Sequence, residues 1–417
     1  MERGLAYPCF CTEEELDKVR AKQEEDKVLT GYYGEYATCR NLSYEEVEAN
    51  IKAGKPYVLR LRSQGSPDKE ITFVDAIKGE IKLPENIHDI VLLKKDGIPT
   101  YHFAHAIDDH LMRTTTVVRG GEWLASAPIH YELFHLLGFK MPAYAHTAHL
   151  MKFDEETGGK RKLSKRKDPE LSLDYYRKDG YHPYTMKVYL LTLLNSNFEE
   201  WHEKFPDKDI NEFPFSVEKM NQSGALFDKD KLHNICKNEL SKLSEEELYD
   251  FLYDWAKENE PENVEKWFGD REKMLQILRL YMGVGAKRRR KDLMYAKQIF
   301  ELISYFFDGE SAEEMDEFKL DDDMVSKILK SYLAKYDHND DNSVWFNKLK
   351  EIADEHGFAS DMKAYKANPE NFKGNVSDIA EAVRIAVTGR ANTPDLWTIV
   401  HIMGEEQMTE RIKKHIK

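Results

Sequence analysis

Two patterns of hydrophobic and polar residues divide the chain. In the first part, apolar and polar side chains alternate with the period of a half-buried strand. Residues 12–27 instead follow a helical period, with Thr12 as the N-cap and Glu15 as its capping-box partner. Strands are predicted for residues 57–62, 71–74 and 90–93, the last closed by the turn pair Asp96-Gly97. Short strands mixed with a helix predict an α/β domain over about the first 100 residues.

From about residue 126 onward the helical period prevails. Helices are predicted for residues 127–137, 183–194, 245–258, 271–281, 293–307 and 323–336. Gly138 and Gly309 follow two of them at the position just past a helix end, which favours glycine. From Lys229 to the end almost every segment is predicted to be helical. The change of pattern near residue 215 predicts the main domain boundary, and the acidic stretch at 337–341 predicts a softer one.

Four segments are therefore expected: residues 1–125 and 126–215 as two parts of an α/β domain, then helical segments at 216–335 and 336–417. The composition, with 41% hydrophobic and 33% charged residues, is that of a globular protein. The chain has no apolar run of the roughly 18 residues that a membrane helix needs. Its start has no signal-peptide pattern, and four cysteines in 417 residues favour a reducing cytoplasm over a disulfide scaffold.

Positive charge is clustered although the net charge is −15. Residues 160–167 read Lys-Arg-Lys-Leu-Ser-Lys-Arg-Lys, and residues 287–291 read Lys-Arg-Arg-Arg-Lys. An acidic average argues against a nucleic-acid partner, but a local basic surface can still attract phosphate. Either run can be a solvated face, and for residues 287–291 the alternative is a contact with RNA phosphate.

The most specific motif is Lys162-Leu163-Ser164-Lys165-Arg166. It resembles the K-M-S-K-S loop of class I aminoacyl-tRNA synthetases, in the form common among glutamyl-tRNA synthetases. The resemblance implies that Lys162, Ser164 and Lys165 are catalytic and that ATP and Mg²⁺ are required. Lysines on a mobile loop stabilise the negative charge that develops on the phosphates of ATP during amino-acid activation.

A second block, residues 101–123, precedes this loop in the order found in the same family. It resembles the segment that holds the carboxylates of the substrate, which implies substrate-binding roles for Tyr101, His105, Arg119 and Trp123. The planar fork of Arg119 suits a carboxylate. The family often has asparagine at the position of His105 and an acid at that of Gly121. A histidine can still donate a hydrogen bond, with a charge that depends on pH.

The helical half resembles the anticodon-facing region of the family in residues 383–396. This implies tRNA contacts by Arg384, Thr393, Pro394 and Leu396, since unpaired bases are recognised by stacking and by hydrogen bonds to their edges. Thr393-Pro394 is also what a helix start looks like. A monomer that acts on tRNA(Glu) and glutamate is expected.

Cys9, Cys11 and Cys39 resemble a partial zinc site of some members. The family's histidine ligand is Asn41 here, so Tyr33 or Tyr36 is the expected substitute, and buried free cysteines are the alternative interpretation.

The resemblance implies an α/β fold, an incomplete Rossmann-type class I catalytic domain, followed by an all-α C-terminal half. The expected reaction is glutamate–tRNA ligation through glutamyl adenylate. The family's H-I-G-H-type motif and early substrate arginine are not found, so a missing N-terminal segment is expected. The alternative is a non-catalytic tRNA-binding module, or half of a split enzyme. A third candidate, the tRNA-modifying paralogue that glutamylates queuosine, lacks the long helical half.

Overall fold

The computed structural model of the chain describes residues 3–154, 156–307 and 315–417. The chain divides into two compact units. Unit 1 comprises residues 1–163 and 191–227, and unit 2 comprises residues 164–190 and 228–417. The second unit therefore begins inside the lysine motif, which the hydrophobic pattern does not indicate. The finer division into four segments stays a prediction.

Unit 1 mixes strands and helices, as predicted. Its strands are β1 (Ala6–Cys9), β2 (Val58–Leu61), β3 (Glu70–Asp75), β4 (Gly79–Pro84), β5 (Val91–Leu93), β6 (Thr116–Gly120), β7 (Ala143–Thr147), β8 (Leu150–Phe153), β9 (Lys160–Lys162) and β10 (Ala225–Leu226). Its helices are α1 (Glu13–Glu25), α2 (Tyr44–Lys52), α3 (Tyr101–Leu111), α4 (Ala127–Leu137) and α7 (Phe198–Lys204).

The strands of unit 1 form three small sheets. The first has the order β1-β2-β5 and is antiparallel, and the second has the order β10-β8-β9. The third has the order β4-β3-β7-β6, in which β3, β7 and β6 run parallel. Parallel strands place their carboxyl ends at one edge, where ligand sites of α/β folds are commonly built. This edge carries the site described below.

Local sequence signals explain where the elements of unit 1 begin and end. Thr12 and Glu15 form the predicted capping box of α1. Helix α4 ends at Gly138, whose φ of +71° is costly for a residue with a Cβ. Gly97, at φ +82°, turns the chain after β5, and its N–H donates to the carbonyl of Lys94. These predictions are confirmed.

Unit 2 is helical, and a large apolar core joins its helices from residue 240 onward. Its helices are α5 (Leu173–Asp179), α8 (Lys229–Leu240), α9 (Glu245–Asn259), α10 (Val264–Phe268), α11 (Arg271–Met282), α12 (Ala296–Ile303), α13 (Asp322–Lys335), α14 (Asn342–His356), α15 (Met362–Ala367), α16 (Val376–Thr388), α17 (Leu396–Met403) and α18 (Glu405–Lys413). Helix α6 (Pro183–Leu194) lies across the division between the units, with the predicted bounds.

Two details differ from the prediction. The helix expected over residues 293–307 begins only at Ala296, because the side chain of Gln298 binds the backbone of Met294 and Asp292 and holds those residues outside the helix. It ends at Ile303, and Gly309, predicted to close it, lies outside the described residues. The last strand of unit 1 is β10, so helices take over after residue 227 and not near 215.

No helix in the described ranges is both long and apolar enough to cross a bilayer.

Candidate active site

Arg119 lies at the carboxyl end of β6, directly opposite His146 of the parallel neighbour β7. Its guanidinium is half-buried and lies 4.5 Å from the ring centre of Tyr144. Burial lowers the pKa of Arg119, while the nearby hydroxyls of Tyr144 and Tyr101 oppose that shift. The side chain stays charged, since the ordinary pKa of arginine is far above neutrality.

The hydrogen-bond acceptors of Arg119 are two imidazoles and a carbonyl. Its Nε donates to Nε2 of His146 at 2.9 Å, and its Nη1 donates to Nδ1 of His130 at 3.1 Å. Its Nη2 donates to the carbonyl of Trp123 at 3.4 Å. Among the described residues no carboxylate forms an ion pair with Arg119, so its positive charge is available to a ligand.

Asp75, at the end of β3, fixes the orientation of His146. Its Oδ2 lies 2.6 Å from Nδ1 of His146, and both side chains are fully buried. Burial alone raises the pKa of Asp75, but hydrogen bonds from His146 and from the backbone N–H groups of Lys78 and Ile77 lower it below the ordinary value. Asp75 is therefore ionised and accepts the Nδ1 proton, which leaves Nε2 of His146 as the acceptor for Arg119.

His130 on α4 continues this arrangement. Because its Nδ1 accepts from Arg119, its Nε2 carries the proton and donates to Nδ1 of His102 at 2.9 Å. Burial, with the neighbouring His105 and Arg119, lowers the pKa of His130 to about 2. Burial also lowers the pKa of His102 and His146. Around the arginine, therefore, these imidazoles are neutral near pH 7.

Aromatic side chains from α3 and the turn after β6 form one wall of the site. The ring centres of Tyr101 and Trp123 lie 4.5 Å apart, and the ring of His105 stacks on Tyr101 at 5.9 Å. Tyr101 is 51% exposed, so its hydroxyl can reach a ligand. The structure thus brings Tyr101, His105, Arg119 and Trp123 together, as the sequence predicts.

His105 differs from its predicted role. Its Nδ1 lies 2.8 Å from Oδ2 of Asp109 and its Nε2 lies 2.8 Å from the hydroxyl of Tyr144, so both ring nitrogens already have partners. Burial lowers the pKa of His105, so the expected change of its charge with pH near neutrality does not fit. In this structure it supports Tyr144 and Tyr101 instead of presenting a donor to the substrate. Asp109 thus has a structural role here, as the partner of the His105 imidazole.

Lys162 ends β9, the outer strand of the β8–β9 hairpin. Its Nζ lies 3.6 Å from a carboxylate oxygen of Glu122, which directly precedes Trp123. The turn at residues 121–126 therefore contacts Lys162 through the carboxylate of Glu122 and Arg119 through the carbonyl of the next residue, Trp123. The buried side chain of Leu163, 3% exposed, anchors the end of the hairpin, where its N–H donates to the carbonyl of Leu150.

Ser164 and Lys165 belong to unit 2, in which Asp168 closes the loop that follows. The N–H of Ser164 donates to Oδ2 of Asp168 at 2.7 Å, and the N–H of Asp168 donates to the carbonyl of Ser164 at 2.8 Å. Asp168 is buried, whereas Lys165 is exposed. The loop thus has a fixed base and presents a solvent-exposed ammonium group.

The three cysteines of unit 1 converge as predicted. The Sγ atoms of Cys9, Cys11 and Cys39 lie within 4.8 Å of one another. The tyrosine beside them is Tyr32, with its hydroxyl 3.4 Å from Cys9 and 3.3 Å from Cys11.

The tyrosines predicted to complete this set face other partners, so that expectation is wrong. Tyr33 donates to the carbonyl of Leu29 and Tyr36 to Asp26. Hydrogen bonds shared among the three thiols lower the pKa of Cys9 and raise the pKa of Cys11.

The predicted tRNA-binding residues of unit 2 differ in exposure. Arg384 is half-buried and donates to the carbonyl of Ala391 at 3.3 Å. Thr393 is partly exposed and Pro394 is buried; Asp395 is the N-cap of α17, so Pro394 lies just before the helix and not in its first turn. Leu396 is 3% exposed and packs in the helical core, so contact with a base does not fit its position.

Pro394 lines a groove of about 670 Å³ between α11 and α17, together with Arg279, Arg288, Arg290, Thr398 and His401. Arg279 and Arg290 are paired with acidic residues, whereas Arg288 forms no ion pair with any described residue. Part of the basic run at 287–291 and the predicted anticodon segment therefore share one surface.

Similar proteins are known for the whole length of the chain. The family described as tRNA synthetases class I (E and Q), catalytic domain, matches residues 1–234, and an anticodon binding domain matches residues 247–416. A glutamate–tRNA ligase of Acetivibrio thermocellus is 52% identical over 416 residues, which are 99% of this chain and 75% of that protein. One from Clostridium perfringens, strain SM101, is 46% identical and covers 100% of this chain and 76% of its own length.

A solved structure also resembles this one. The crystal structure of a glutamate tRNA ligase from Elizabethkingia meningosepticum, in complex with its amino acid, superimposes with a TM-score of 0.72 at 25% sequence identity. The match covers 99% of this chain and 79% of that one.

Proposed function

This chain belongs to the class I glutamyl- and glutaminyl-tRNA synthetase family, and from that premise we propose that its Arg119 pocket binds a carboxylate of glutamate while the 162–166 loop binds ATP. The function is that of a glutamate–tRNA ligase, with glutamate and tRNA as substrates. The observation that supports the pocket best is the guanidinium of Arg119, charged, half-buried and surrounded by neutral acceptors. Such a cation binds an anion with little competition from the protein.

In this proposal Arg119 and Tyr101 orient glutamate, and Trp123 keeps its aromatic wall in place. Amino-acid activation needs no nucleophilic side chain, because the substrate's own carboxylate attacks the α-phosphate of ATP and displaces pyrophosphate. The enzyme contributes position and charge. Members of class I use ATP with Mg²⁺, which neutralises phosphate charge when bound. In this chain, the residues proposed to stabilise the charge on the phosphates of ATP are Lys162, Ser164 and Lys165.

The proposal for tRNA rests on the anticodon binding domain and on the basic groove of unit 2. Arg288 offers a cation to a phosphate, and Arg384 and Thr393 offer donors to base edges. Within this proposal the chain acts as a monomer on tRNA(Glu) in the cytoplasm, the compartment that suits its four free thiols.

Glutamate-dependent ATP–pyrophosphate exchange by the full chain, measured with and without tRNA, tests the function. We expect exchange with glutamate to exceed exchange with glutamine, and labelled glutamate to be transferred to tRNA. A folded chain that binds tRNA but shows neither exchange nor charging would instead support the alternative of a non-catalytic tRNA-binding module.

We also propose zinc at Cys9, Cys11 and Cys39, with the hydroxyl oxygen of Tyr32 as the fourth ligand. Three thiols whose sulfur atoms lie within 4.8 Å of one another fit a cation that prefers sulfur ligands. We expect about one zinc per chain by mass spectrometry of the purified protein, since a four-ligand set holds one ion. Cys39→Ser should lose most of it and melt at a lower temperature.

Cys236→Ser is the matched control for this measurement, because Cys236 lies in unit 2 against Thr185 and has no other cysteine nearby among its contacts. Its zinc content should equal that of the wild type. Equal zinc in the Cys39 and Cys236 variants, or none in the wild type after purification without chelators, contradicts the assignment.

A further inference from the structure

We propose that His146, oriented by Asp75, and His130 are positioning residues that direct Arg119 toward the substrate carboxylate as two neutral hydrogen-bond acceptors. This inference deepens the proposed function and rests on it. It also offers a physical reason for the choice of a carboxylate over an amide, because an arginine partnered by neutral groups keeps its full charge for the ligand.

The guanidinium of Arg119 has more hydrogen-bond donors than the protein uses. Arginine has five N–H groups in a fixed plane. Those on Nε, Nη1 and Nη2 that face His146, His130 and the carbonyl of Trp123 are used within the protein, which leaves two for a ligand. Three contacts in one plane fix the direction of those remaining two.

The two imidazole partners of Arg119, His146 and His130, are neutral. A carboxylate in the place of either imidazole would neutralise Arg119 and compete with the substrate. In the part of the chain that the structure describes, the carboxylate bound to an imidazole partner of Arg119 is that of Asp75, which lies behind His146 and is separated from the guanidinium by the imidazole ring. Asp109 is bound to His105 instead and acts on Arg119 through its charge alone. His146 thus transmits the orientation set by Asp75 without bringing the negative charge into contact with Arg119.

The contact with Asp75 fixes the position of the proton on His146. Its Nδ1 is bound to Asp75, whose other oxygen accepts the N–H groups of Ile77 and Lys78. These contacts leave one tautomer, with the proton on Nδ1 and a lone pair on Nε2 directed at Arg119. The opposite tautomer would place two N–H groups against each other.

Two conservative substitutions separate this role from simple packing. His146→Asn retains a donor at the position of Nδ1 for Asp75 but lacks the acceptor at Nε2. His146→Gln retains an acceptor near the position of Nε2. We expect His146→Asn to raise the KM for glutamate about 10- to 100-fold, the effect of losing one charge-assisted hydrogen bond, with the KM for ATP unchanged. His146→Gln should recover a large part of this loss.

The control is His135→Ala, which removes a histidine of α4 that has no contact with Arg119 and should leave both KM values unchanged. The preference for glutamate over glutamine should fall in His146→Asn and persist in His135→Ala. If His146→Asn leaves the KM for glutamate unchanged in an active enzyme, or if His146→Gln loses as much as His146→Asn, the inference is overturned although the proposed function stands. If the wild type neither binds nor activates glutamate, the proposed function fails and the inference fails with it.

A spectroscopic measurement needs no activity. The imidazole ¹⁵N chemical shifts of the folded wild-type chain at pH 7 should show His146 neutral with its proton on Nδ1. A charged His146, or the proton on Nε2, overturns the inference.

Discussion

Arg119→Ala should abolish most glutamate activation, with a fall in kcat/KM for glutamate of about 100- to 10,000-fold. In the proposed complex, each of the two N–H groups that remain on the guanidinium would donate a hydrogen bond to the charged carboxylate of glutamate, worth about 1.5–3 kcal/mol. Together they amount to about 3–6 kcal/mol, and each 1.4 kcal/mol is a factor of ten. Exchange measured over a range of glutamate concentrations checks this result.

Arg119→Lys tests whether charge alone is sufficient. Lysine retains the positive charge but has no planar fork, and it cannot bind His146, His130 and a ligand in one plane. Its activity should therefore lie between those of the wild type and Arg119→Ala. Arg20→Ala, an exposed arginine on α1 whose side chain is 63% exposed, is the control and should have wild-type kinetics. If Arg119→Ala activates glutamate as well as this control does, the pocket is not the glutamate site.

The regular elements could be predicted well because their signals are local. Helix α4 has the predicted bounds, since its apolar period and Gly138 fix both ends within one segment. The helix expected from residue 293 failed at its start, where the side chain of Gln298 competes for backbone groups. That contact is also local, but nothing in the hydrophobic period reports it.

The site was only partly predictable. Arg119 and the lysine loop were identified by resemblance to a family, whereas Asp75, His130 and His146 were missed. Each of these three comes from a different element, β3, α4 or β7, so no spacing in the sequence joins them. The available signal was the position of Asp75 and His146 near the carboxyl ends of parallel strands, which requires the strand order.

The cysteine cluster shows the same limit at short range. The resemblance of Cys9, Cys11 and Cys39 to a zinc site of the family implied their convergence, but not which of three nearby tyrosines would join them. Tyr32 is 7% exposed and turns inward beneath the guanidinium of Arg60, which lies 4.0 Å from its ring centre. A long-range contact with β2 thus selects the tyrosine.

Lys165→Ala should lower kcat for activation about 100- to 1,000-fold, the cost of removing one preorganised group that stabilises charge in a transition state. Lys165 is exposed, and the loop that presents it is held by the backbone contacts of Ser164 with Asp168, so its removal should leave the melting temperature unchanged. The KM for glutamate should also be unchanged, because an interaction formed only in the transition state affects kcat and not ground-state binding.

Lys167→Ala is the matched control for this loop, because it removes another exposed lysine two residues further along the chain. A general loss of positive charge would slow both variants, whereas a specific contact of Lys165 with phosphate slows only one. The pre-steady-state rate of adenylate formation, measured with saturating ATP and glutamate, separates the chemical step from product release. Equal activation rates in the two variants would contradict a specific contact of Lys165 with ATP, because removing either ammonium group would then have the same effect on the reaction.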